Sequence, residues 1–444
     1  MNLTDRFLQN IFRIRRMTYS PAVEALVRTY LADTIGVTFA GAANIHDKER
    51  AILSQQKSKG SSKPIGFQTE CSLADALFIN GLSAHFLELD DGVRYGVIHP
   101  SAPLFSALIP IAIENNVPWN DFLRGAVCGY ETSIRIASAM QPHHYSAGYH
   151  PTATCCTLGV AVGIGVMLGL DDQIVKDAFS SACISACGSL KVLEDVSQLK
   201  PYNCAKAALN GYMSAVMAKA GFAGPSDPLD GDTGFLKMMA SSYNEEILTG
   251  ERDFLYLEKI YQKPYASCRH THPEIEACFN IRKTAGFVFN QVDHVKVTTY
   301  KGVIGKHDFK DIHGESSARM SIPYSVVIAL ATGKAGIDEF AEPYVSNEAI
   351  LSFTQKVDVV PDEELSKLVP DKRVAIVEVA MKDGRILSDK VEYPKGEPEN
   401  PLTAEENLAK FLSMTSHGGM TEEKARAIFK ELTIAPKPNF NILW

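Results

Sequence analysis

Apolar residues recur at helical spacing along the N-terminal part of the chain. Ser20 and Pro21 form a typical helix start, because a serine hydroxyl caps free N–H groups and proline is favoured at the first helical position. The apolar positions that follow share one helix face: Val23, Leu26, Val27, Tyr30, Leu31 and Ile35. Similar patterns predict helices over 73–89, 102–113, 119–139, 177–189 and 198–220. This part of the chain therefore predicts an all-helical domain.

The segment 158–170 is apolar on every side, which is typical of a helix in the middle of a large protein. The preceding segment 141–157, QPHHYSAGYHPTATCCT, is predicted to be a loop rich in His, Tyr and Gly. Free N–H groups and the helix dipole make a helix N-terminus favourable for an anion. We therefore expect His150 and residues 152–157 to lie at an anion-binding helix end.

The pattern changes in the last third of the chain. Residues 292–303 alternate and are β-branched, which predicts a strand, and residues 374–381 and 385–393 around Asp383-Gly384 predict a hairpin. A helix is predicted at 321–332, and Thr403 with Glu406 forms a capping-box pattern that opens a last helical region. The fold class predicted is mainly α: a helical domain over 1–268, a smaller α+β domain over 269–397, and a C-terminal helical segment over 398–444 that returns to the helical domain.

Composition excludes several classes of function. The 444 residues exceed one simple core, so two domains are expected. A net charge of -8 without a Lys/Arg tract argues against nucleic-acid binding, and an anionic substrate would need a local basic pocket. No apolar run reaches the ~20 residues of a membrane span, so no membrane partner is expected. Nine cysteines, without a CxxC pair or a signal peptide, predict reduced thiols in a cytoplasmic protein.

Candidate chemistry begins in the stretch 85–103, HFLELDDGVRYGVIHPSAP. It places Asp90 and Asp91 close to His99, and a second His-Pro step follows at His150. A carboxylate fixes the tautomer of an imidazole, and an imidazole near its ordinary pKa exchanges protons at neutral pH. The stretch therefore indicates proton-transfer chemistry. A solvated helix boundary is the alternative explanation.

A second dense cluster is the basic strip 263–272, KPYASCRHTH, which carries Lys263, Cys268, Arg269, His270 and His272. Arginine and lysine bind carboxylates by charge-assisted hydrogen bonds, so we interpret the strip as a carboxylate-binding segment. A zinc site is disfavoured, because the Cys and His spacing matches neither CxxC nor a helical HxxxH pair. A basic surface loop is the remaining alternative. Lys200, directly before a proline, is expected at another helix N-terminus.

With these residues in view, nearly the whole chain resembles the MmgE/PrpD family, which includes 2-methylcitrate dehydratases, cis-aconitate decarboxylases and iminodisuccinate epimerases. The resemblance is carried by LADTIGVTFAGA (31–42), LELDDG (87–92) with HPSAP (99–103), GYETSIRIA (129–137), GYHPTATCCTLGVA (148–161), LKPYNCAKAALNG (199–211), AGFAGPSDPLDGDTGF (220–235) and KPYASCRHTHPEIEA (263–277). It implies a large all-helical domain with a smaller α+β lid domain, a homodimer, an active site between the domains, and catalysis without metal or organic cofactor.

The resemblance also implies roles for single residues. The positions that match the family's active-site residues are the His-Pro histidines His99 and His150, the lysines Lys200 and Lys263, the lid-domain tyrosine Tyr324 and the paired aspartates Asp90 and Asp91. Three positions depart from cis-aconitate decarboxylases. Gly92 stands where those enzymes have threonine, Cys268 where they have histidine, and Glu88 where they carry an additional aspartate. These departures argue against assuming cis-aconitate as the substrate.

The family reactions share the difficulty of making or protonating a carbanion beside a carboxylate. We expect His99 and His150 to move the proton, tuned by Asp90 or Asp91, while the strip residues Lys263, Cys268, Arg269, His270 and His272, together with Lys200, hold the substrate. The leading hypothesis is a cofactor-free lyase that dehydrates or decarboxylates a citrate- or aconitate-like di- or tricarboxylic acid. An epimerase of a succinyl-amine adduct and a non-catalytic carboxylate-binding homologue are the alternatives.

Overall fold

Helices form most of the protein. The computed structural model describes residues 1–193 and 197–444. Its helices are α1 (Leu3–Arg15), α2 (Pro21–Gln56), α3 (Leu73–His85), α4 (Ser101–Glu114), α5 (Trp119–Met140), α6 (His143–Ser146), α7 (Pro151–Met167), α8 (Asp172–Ser185), α9 (Lys200–Lys219), α10 (Phe235–Met239), α11 (Glu245–Thr249), α12 (His272–Arg282), α13 (Glu315–Ala318), α14 (Ile322–Thr332), α15 (Glu348–Thr354), α16 (Glu363–Lys367), α17 (Ala404–His417) and α18 (Glu422–Ile434). Across these ranges we find no helix with the length and apolar character that a membrane crossing requires.

The centre of the helical body is α7, in which every residue is buried. It packs between α5 and α9, and small residues allow the close approach. A Cβ added to Gly159 would lie 1.8 Å from Ser133 Oγ of α5. The prediction of a central apolar helix is confirmed, but α7 begins at Pro151 rather than at 158. Residues 152–157 are helical because their hydroxyls find partners inside the protein, such as Thr157 Oγ1 donating to Ala153 O at 2.7 Å.

The long helix α2 forms a second axis of the body, with α3 on one side and α17 on another. Glycines again set the spacing. A Cβ on Gly36 would lie 2.6 Å from Met414 Cε of α17, and one on Gly41 would lie 1.9 Å from the Ser83 carbonyl oxygen of α3. The C-terminal helices α17 and α18 thus pack on the helical body. The residue numbers of the domain boundaries stay a prediction.

A four-stranded mixed sheet forms the core of the smaller α+β unit. Its strands are β1 (Val292–Tyr300), β2 (Val357–Asp362), β3 (Ala375–Met381) and β4 (Ile386–Val391), in the order β2-β1-β3-β4. β1 runs parallel to β2 and antiparallel to β3, so that Val297 lies opposite Val359 and Val377. β3 and β4 form the predicted hairpin, with Gly384 in the left-handed region at φ 88°.

Helices α12 and α14 cover one face of this sheet. Alternate residues of β3 are buried against them, as the period of two along a strand requires. The apolar core continues from the sheet into the helical body through Val37, Leu87 and Met414. The two parts of the protein therefore share buried contacts, and the chain that connects them lies at their boundary.

Helix α3 and strand β1 are shorter than expected. Helix α3 ends at His85 rather than at 89, because the backbone of Glu88 turns into the left-handed region at φ 56°. Strand β1 ends at Tyr300 rather than at 303, and residues Lys301–Val303 form a 3-10 turn instead. There the Lys301 N–H donates to Ser366 Oγ at 2.9 Å, which takes the place of a strand partner. The first difference creates the loop that carries the candidate chemistry.

Replacing Gly41 with alanine is expected to lower the midpoint of thermal unfolding. The added Cβ would meet the Ser83 carbonyl at 1.9 Å, so that α2 and α3 must separate. Overpacking of this kind costs about 1–3 kcal/mol. The matched control is Gly302→Ala, whose new Cβ has its nearest neighbours at an ordinary 3.4 Å. Equal midpoints for the two variants, measured by circular dichroism, would contradict the packing described for α2 and α3.

Candidate active site

A pocket lies where the helical body meets the α+β unit. It contains about 560 Å³ of empty space, its mouth included. Helical-body residues and residues of the α+β unit both contribute to its wall: Glu88, Val97, His99, Tyr145, His150, Leu190, Leu193, Lys200, Tyr261, Lys263, Cys268, Arg269, His270, His307, Met320 and Arg373. Distant stretches of the sequence therefore converge on one cleft.

The loop after α3 supplies the first charged groups of this cleft. Glu88 adopts a left-handed backbone conformation, which is uncommon for a residue with a side chain and is frequent at functional sites. Its carboxylate accepts a short contact from Lys200 Nζ and lies 3.4 Å from Lys263 Nζ. Lys200 is the first residue of α9, as predicted, so its side chain begins at a helix N-terminus. One carboxylate thus sits between two ammonium groups.

The ionisation of these groups follows from their mutual contacts. Burial alone would raise the pKa of Glu88, but the charges of Lys200 and Lys263 outweigh it and hold that pKa well below its usual range. Burial alone would lower the pKa of Lys263, and the carboxylates of Glu88 and Asp90 instead raise it. Lys263 and both carboxylates are therefore charged at neutral pH, although Lys263 is fully buried.

His99 is held in one tautomer by the backbone. Its Nδ1 lies 2.5 Å from the Asp91 carbonyl oxygen, which can only accept, so Nδ1 carries the hydrogen and Nε2 has the free lone pair. The His99 N–H donates to Thr152 Oγ1 at 3.1 Å, which ties this histidine to the first turn of α7. Burial, followed by the charge of Lys263, lowers the pKa of His99 to about 3. His99 is therefore a neutral imidazole with a free basic nitrogen.

His150 stands directly before α7, and its N–H donates to the Gly188 carbonyl at 3.1 Å. Its Nδ1 is buried and has no hydrogen-bond partner within the described ranges. Burial, followed by the charge of Lys200, lowers the pKa of His150 well below its ordinary value. The two predicted histidines thus face one cleft as neutral rings, and each keeps a nitrogen available for a ligand.

A third imidazole, His85, belongs to the same cluster and was not among the predicted site residues. Its ring centre lies 4.9 Å from that of His99 and 6.2 Å from that of His150. Its Nδ1 donates to Asp90 Oδ2 at 2.6 Å, and no described residue bonds its buried Nε2. The sequence signal was the aspartate five positions later, at the point where the helix ends.

The two adjacent aspartates have opposite surroundings. Asp90 contacts His85, lies 3.6 Å from His99 Nδ1 and 3.8 Å from Lys263 Nζ, and these three neighbours hold its pKa below the ordinary value in spite of its burial. The carboxyl group of Asp91 instead faces α4, where it accepts the Ser101 N–H at 3.2 Å. Burial raises the pKa of Asp91 to about 8. Asp91 therefore orients His99 through its carbonyl, and its carboxyl group is neutral.

The basic strip divides into residues that line the pocket and residues that support it. Cys268 and His270 line the pocket, with burial raising the pKa of the thiol and lowering that of the imidazole. Arg269 also borders it, but its guanidinium is paired with Glu397 at 2.9 Å. His272 is buried behind, with Nε2 3.2 Å from the Ser267 carbonyl. His272 thus lies outside the described pocket wall, and the contact of the strip with a substrate stays a prediction.

Tyr324 is the predicted site residue that the structure places elsewhere. It lies in the first turn of α14, where its hydroxyl donates to the Glu339 carbonyl at 2.9 Å and its ring contacts Phe340. It is not part of the described pocket wall. Its position is set by the α+β core, since the helix that carries it packs against the sheet. The role expected for it from the resemblance has no geometric support in this arrangement.

Several wall residues had no signal in the sequence. His307 and Arg373 lie in the α+β unit, and Tyr261 lies in the connecting chain. The ring of Tyr261 occupies the space above Gly92, where an added Cβ would lie 2.4 Å from its hydroxyl oxygen. The glycine that replaces the expected threonine therefore makes room for a tyrosine. Only the tertiary arrangement shows this exchange.

Two groups of side chains have the chemistry of metal ligands. Cys268, His270 and His307 form one, and His85, Asp90 and His99 form the other, with donor atoms within 4.8 Å of one another in each group. In the second group both Nδ1 atoms already lie within hydrogen-bond distance of oxygen atoms. That arrangement favours proton transfer over metal binding there. The absence of a metal and of a cofactor stays a prediction.

Comparison with known families covers nearly the whole chain. The sequence model of the MmgE/PrpD N-terminal domain matches residues 7–247, and that of the MmgE/PrpD C-terminal domain matches residues 265–433. Each half of the pocket wall falls inside one of these matches, except for the connecting residues Tyr261 and Lys263.

Curated relatives are similar over most of their length. A cis-aconitate decarboxylase of Aspergillus terreus is 24% identical over 409 residues, covering 84% of this chain and 81% of the relative. A cis-aconitate decarboxylase of Homo sapiens is 24% identical over 431 residues, covering 94% and 85%. A cis-aconitate decarboxylase-like protein of Aspergillus oryzae is 25% identical over 382 residues, covering 81% and 79%. Since the two domain models together match far more than half of the sequence, this chain belongs to the MmgE/PrpD family.

Proposed function

We propose that this protein is a lyase that acts on a small di- or tricarboxylic acid by proton transfer at the carbon next to a carboxylate. The observation that carries the proposal is the meeting of His99 and His150 with Lys200 and Lys263 in one cleft. Neutral imidazoles supply a base, and the ammonium groups supply charged hydrogen-bond donors for a carboxylate. A protein of net charge -8 needs such local donors to bind an anion.

The proposed chemistry follows from the tautomer of His99. Its Nε2 lone pair is free because Nδ1 donates to the Asp91 carbonyl. In a dehydration this nitrogen would take the proton next to a carboxylate while hydroxide leaves from the neighbouring carbon. In a decarboxylation carbon dioxide leaves, and an imidazole that takes a proton from solvent passes it to the resulting carbanion. In both reactions the lysine charges stabilise the electrons that move toward the carboxylate.

The substrate class is supported by the relatives, which are named cis-aconitate decarboxylases. Identities of 24% support a lyase of aconitate-like acids and not one particular acid. The pocket wall adds a reason to expect a different substrate shape, since Tyr261 lies above Gly92 and a cysteine stands at position 268. We therefore propose a citrate- or aconitate-like acid as the substrate.

The experiment that tests the function is a screen of purified protein with citrate, 2-methylcitrate, cis-aconitate and related acids. Mass spectrometry should show loss of water or of carbon dioxide from at least one of them. Parallel NMR spectra in deuterated water separate the alternatives, because an epimerase exchanges an α-hydrogen without changing the substrate formula. Tight binding of an acid without product or exchange would contradict the lyase and favour a non-catalytic homologue.

Replacing His150 with glutamine is expected to lower kcat by about a hundred- to ten-thousandfold, since a well-placed acid or base contributes that much. The matched control is His294→Gln on strand β1, whose side chain is 57% exposed and lies outside the described pocket wall. The control should keep the activity of the unchanged protein. Steady-state kinetics on the acid found in the screen measure both. Near-normal turnover by the His150 variant would remove this residue from proton transfer.

The neighbouring aspartates should respond differently to the loss of charge. Asp90→Asn is expected to lower kcat about a hundredfold or more, because a neutral side chain no longer fixes the imidazoles beside it. Asp91→Asn should stay within about tenfold, since burial raises the pKa of Asp91 to about 8 and its carboxyl group is already neutral near pH 7. Kinetics at pH 7 compare the two variants, and a larger loss for Asp91→Asn would contradict the assignment.

As the pH decreases, kcat/KM is expected to fall only below pH 6.5, the ordinary pKa of histidine. The reason is that burial and Lys263 lower the pKa of His99 to about 3. Stability should follow the same sign. As the pH falls, His99 takes up a proton at a higher pH in the unfolded chain than in the folded protein. The free energy of unfolding therefore has its full value above pH 6.5 and decreases as the pH falls toward 3. Thermal unfolding measured between pH 6.5 and 3 distinguishes a loss of activity caused by unfolding from one caused by protonation of His99. An acid limb at or above pH 6.5 would contradict a neutral His99.

A further inference from the structure

Arg373 is a buried cation of the pocket wall, and the described residues offer it no ion-pair partner. It lies two residues before strand β3, and only 7% of its surface is exposed. Its Nε has no hydrogen-bond partner in residues 1–193 and 197–444, and within the same ranges its guanidinium forms no ion pair. Arginine stays protonated in proteins, so a full positive charge faces the cleft.

Such a charge is unusual in a folded protein. Buried arginines are normally paired, because removing a cation from water without compensation is costly. Glu397 is the carboxylate whose charge acts on Arg373. Both oxygens of Glu397 already contact other arginines, one Arg94 at 2.8 Å and the other Arg269 at 2.9 Å. Residues 1–193 and 197–444 therefore provide no ion-pair partner for Arg373.

The other groups beside Arg373 are neutral at neutral pH. They comprise the hydroxyls of Tyr261 and Tyr300, the Cys268 thiol and the rings of His270 and His307. His307 Nδ1 donates to the Met320 carbonyl at 2.9 Å, so the remaining nitrogen of that ring is an acceptor and carries no positive charge. This wall is therefore polar, with one uncompensated cation.

We propose that Arg373 forms a second anion subsite, which binds a carboxylate of the substrate other than the one held by Lys200 and Lys263. The proposal rests on the proposed function for the identity of the ligand, since a free anion would fit the guanidinium equally well. A planar guanidinium binds a carboxylate through two parallel hydrogen bonds. An acid with a single carboxylate cannot satisfy both ends of the cleft, so the arrangement selects acids with at least two.

A divalent metal ion is the competing occupant of this wall, since Cys268, His270 and His307 are close enough to share one. The surrounding charges favour the anion. Arg373 and Lys200 both act on His270, and their positive charges would repel a metal cation.

The test compares the unchanged protein with Arg373→Gln and with the control Arg385→Gln, an exposed arginine of the β3–β4 turn. Isothermal titration calorimetry measures the binding of citrate, and of succinate against succinamate, which has the same length and one negative charge fewer. Arg373→Gln should weaken citrate binding by about ten- to a hundredfold, the range of a charged hydrogen-bond pair. It should also remove the preference for succinate. Arg385→Gln should change neither.

Thermal unfolding separates a binding role from a structural one. Without ligand, Arg373→Gln should unfold at the same temperature as the unchanged protein or higher, since it removes an uncompensated buried charge, and citrate should stabilise it less. A lower midpoint with an unchanged citrate effect would make Arg373 a structural residue and overturn the proposal. Failure of the unchanged protein to bind citrate or succinate would also overturn it.

The outcomes for the subsite and for the enzyme are distinguishable. If citrate binding depends on Arg373 but no acid is turned over, the lyase fails and the subsite stands. If an acid is turned over and Arg373→Gln alters neither its KM nor citrate affinity, the subsite fails and the lyase stands. Binding of one zinc ion per chain that is abolished by Cys268→Ser would show that a metal occupies this wall and would overturn the anion subsite.

Discussion

The arrangement of the pocket depends on one contact, in which two lysine ammonium groups share a single glutamate carboxylate. Glu88 lies between Lys200 and Lys263, and Lys263 is fully buried. A buried ammonium group stays charged only if an anion is close to it. Glu88 supplies that anion, and its left-handed backbone conformation places it there. The strain of that conformation is therefore associated with keeping the buried Lys263 charged.

The same charges determine the state of the histidines. Lysine charges near His99 and His150 add to burial and favour the neutral rings. Backbone contacts then decide which nitrogen is available, since the Asp91 carbonyl fixes the hydrogen of His99 on Nδ1. Cationic groups that attract an acid thus also keep the bases unprotonated. Substrate binding and proton transfer depend on one electrostatic arrangement.

The cleft is also asymmetric in charge. At one end Lys200 and Lys263 already contact a protein carboxylate, whereas at the other Arg373 pairs with no carboxylate of the described residues 1–193 and 197–444. The polar groups between them include the neutral rings of His270 and His307 and the hydroxyl of Tyr261. An acid with separated carboxylates is complementary to this distribution. The helical body and the α+β unit contribute different ends, so their relative position sets the spacing between the cations.

The sequence by itself determined the mainly helical fold, the central apolar helix, the hairpin and the histidines of the two His-Pro steps. These features depend on local periodicity, capping and turn chemistry, which short stretches of chain carry. It did not determine that Asp91 faces away from the cleft, that Tyr324 packs inside the α+β core, or that His85, His307 and Arg373 complete the site. Those facts depend on which side chains from distant stretches become buried together. Burial and pairing are properties of the folded arrangement, and only the tertiary structure decided them.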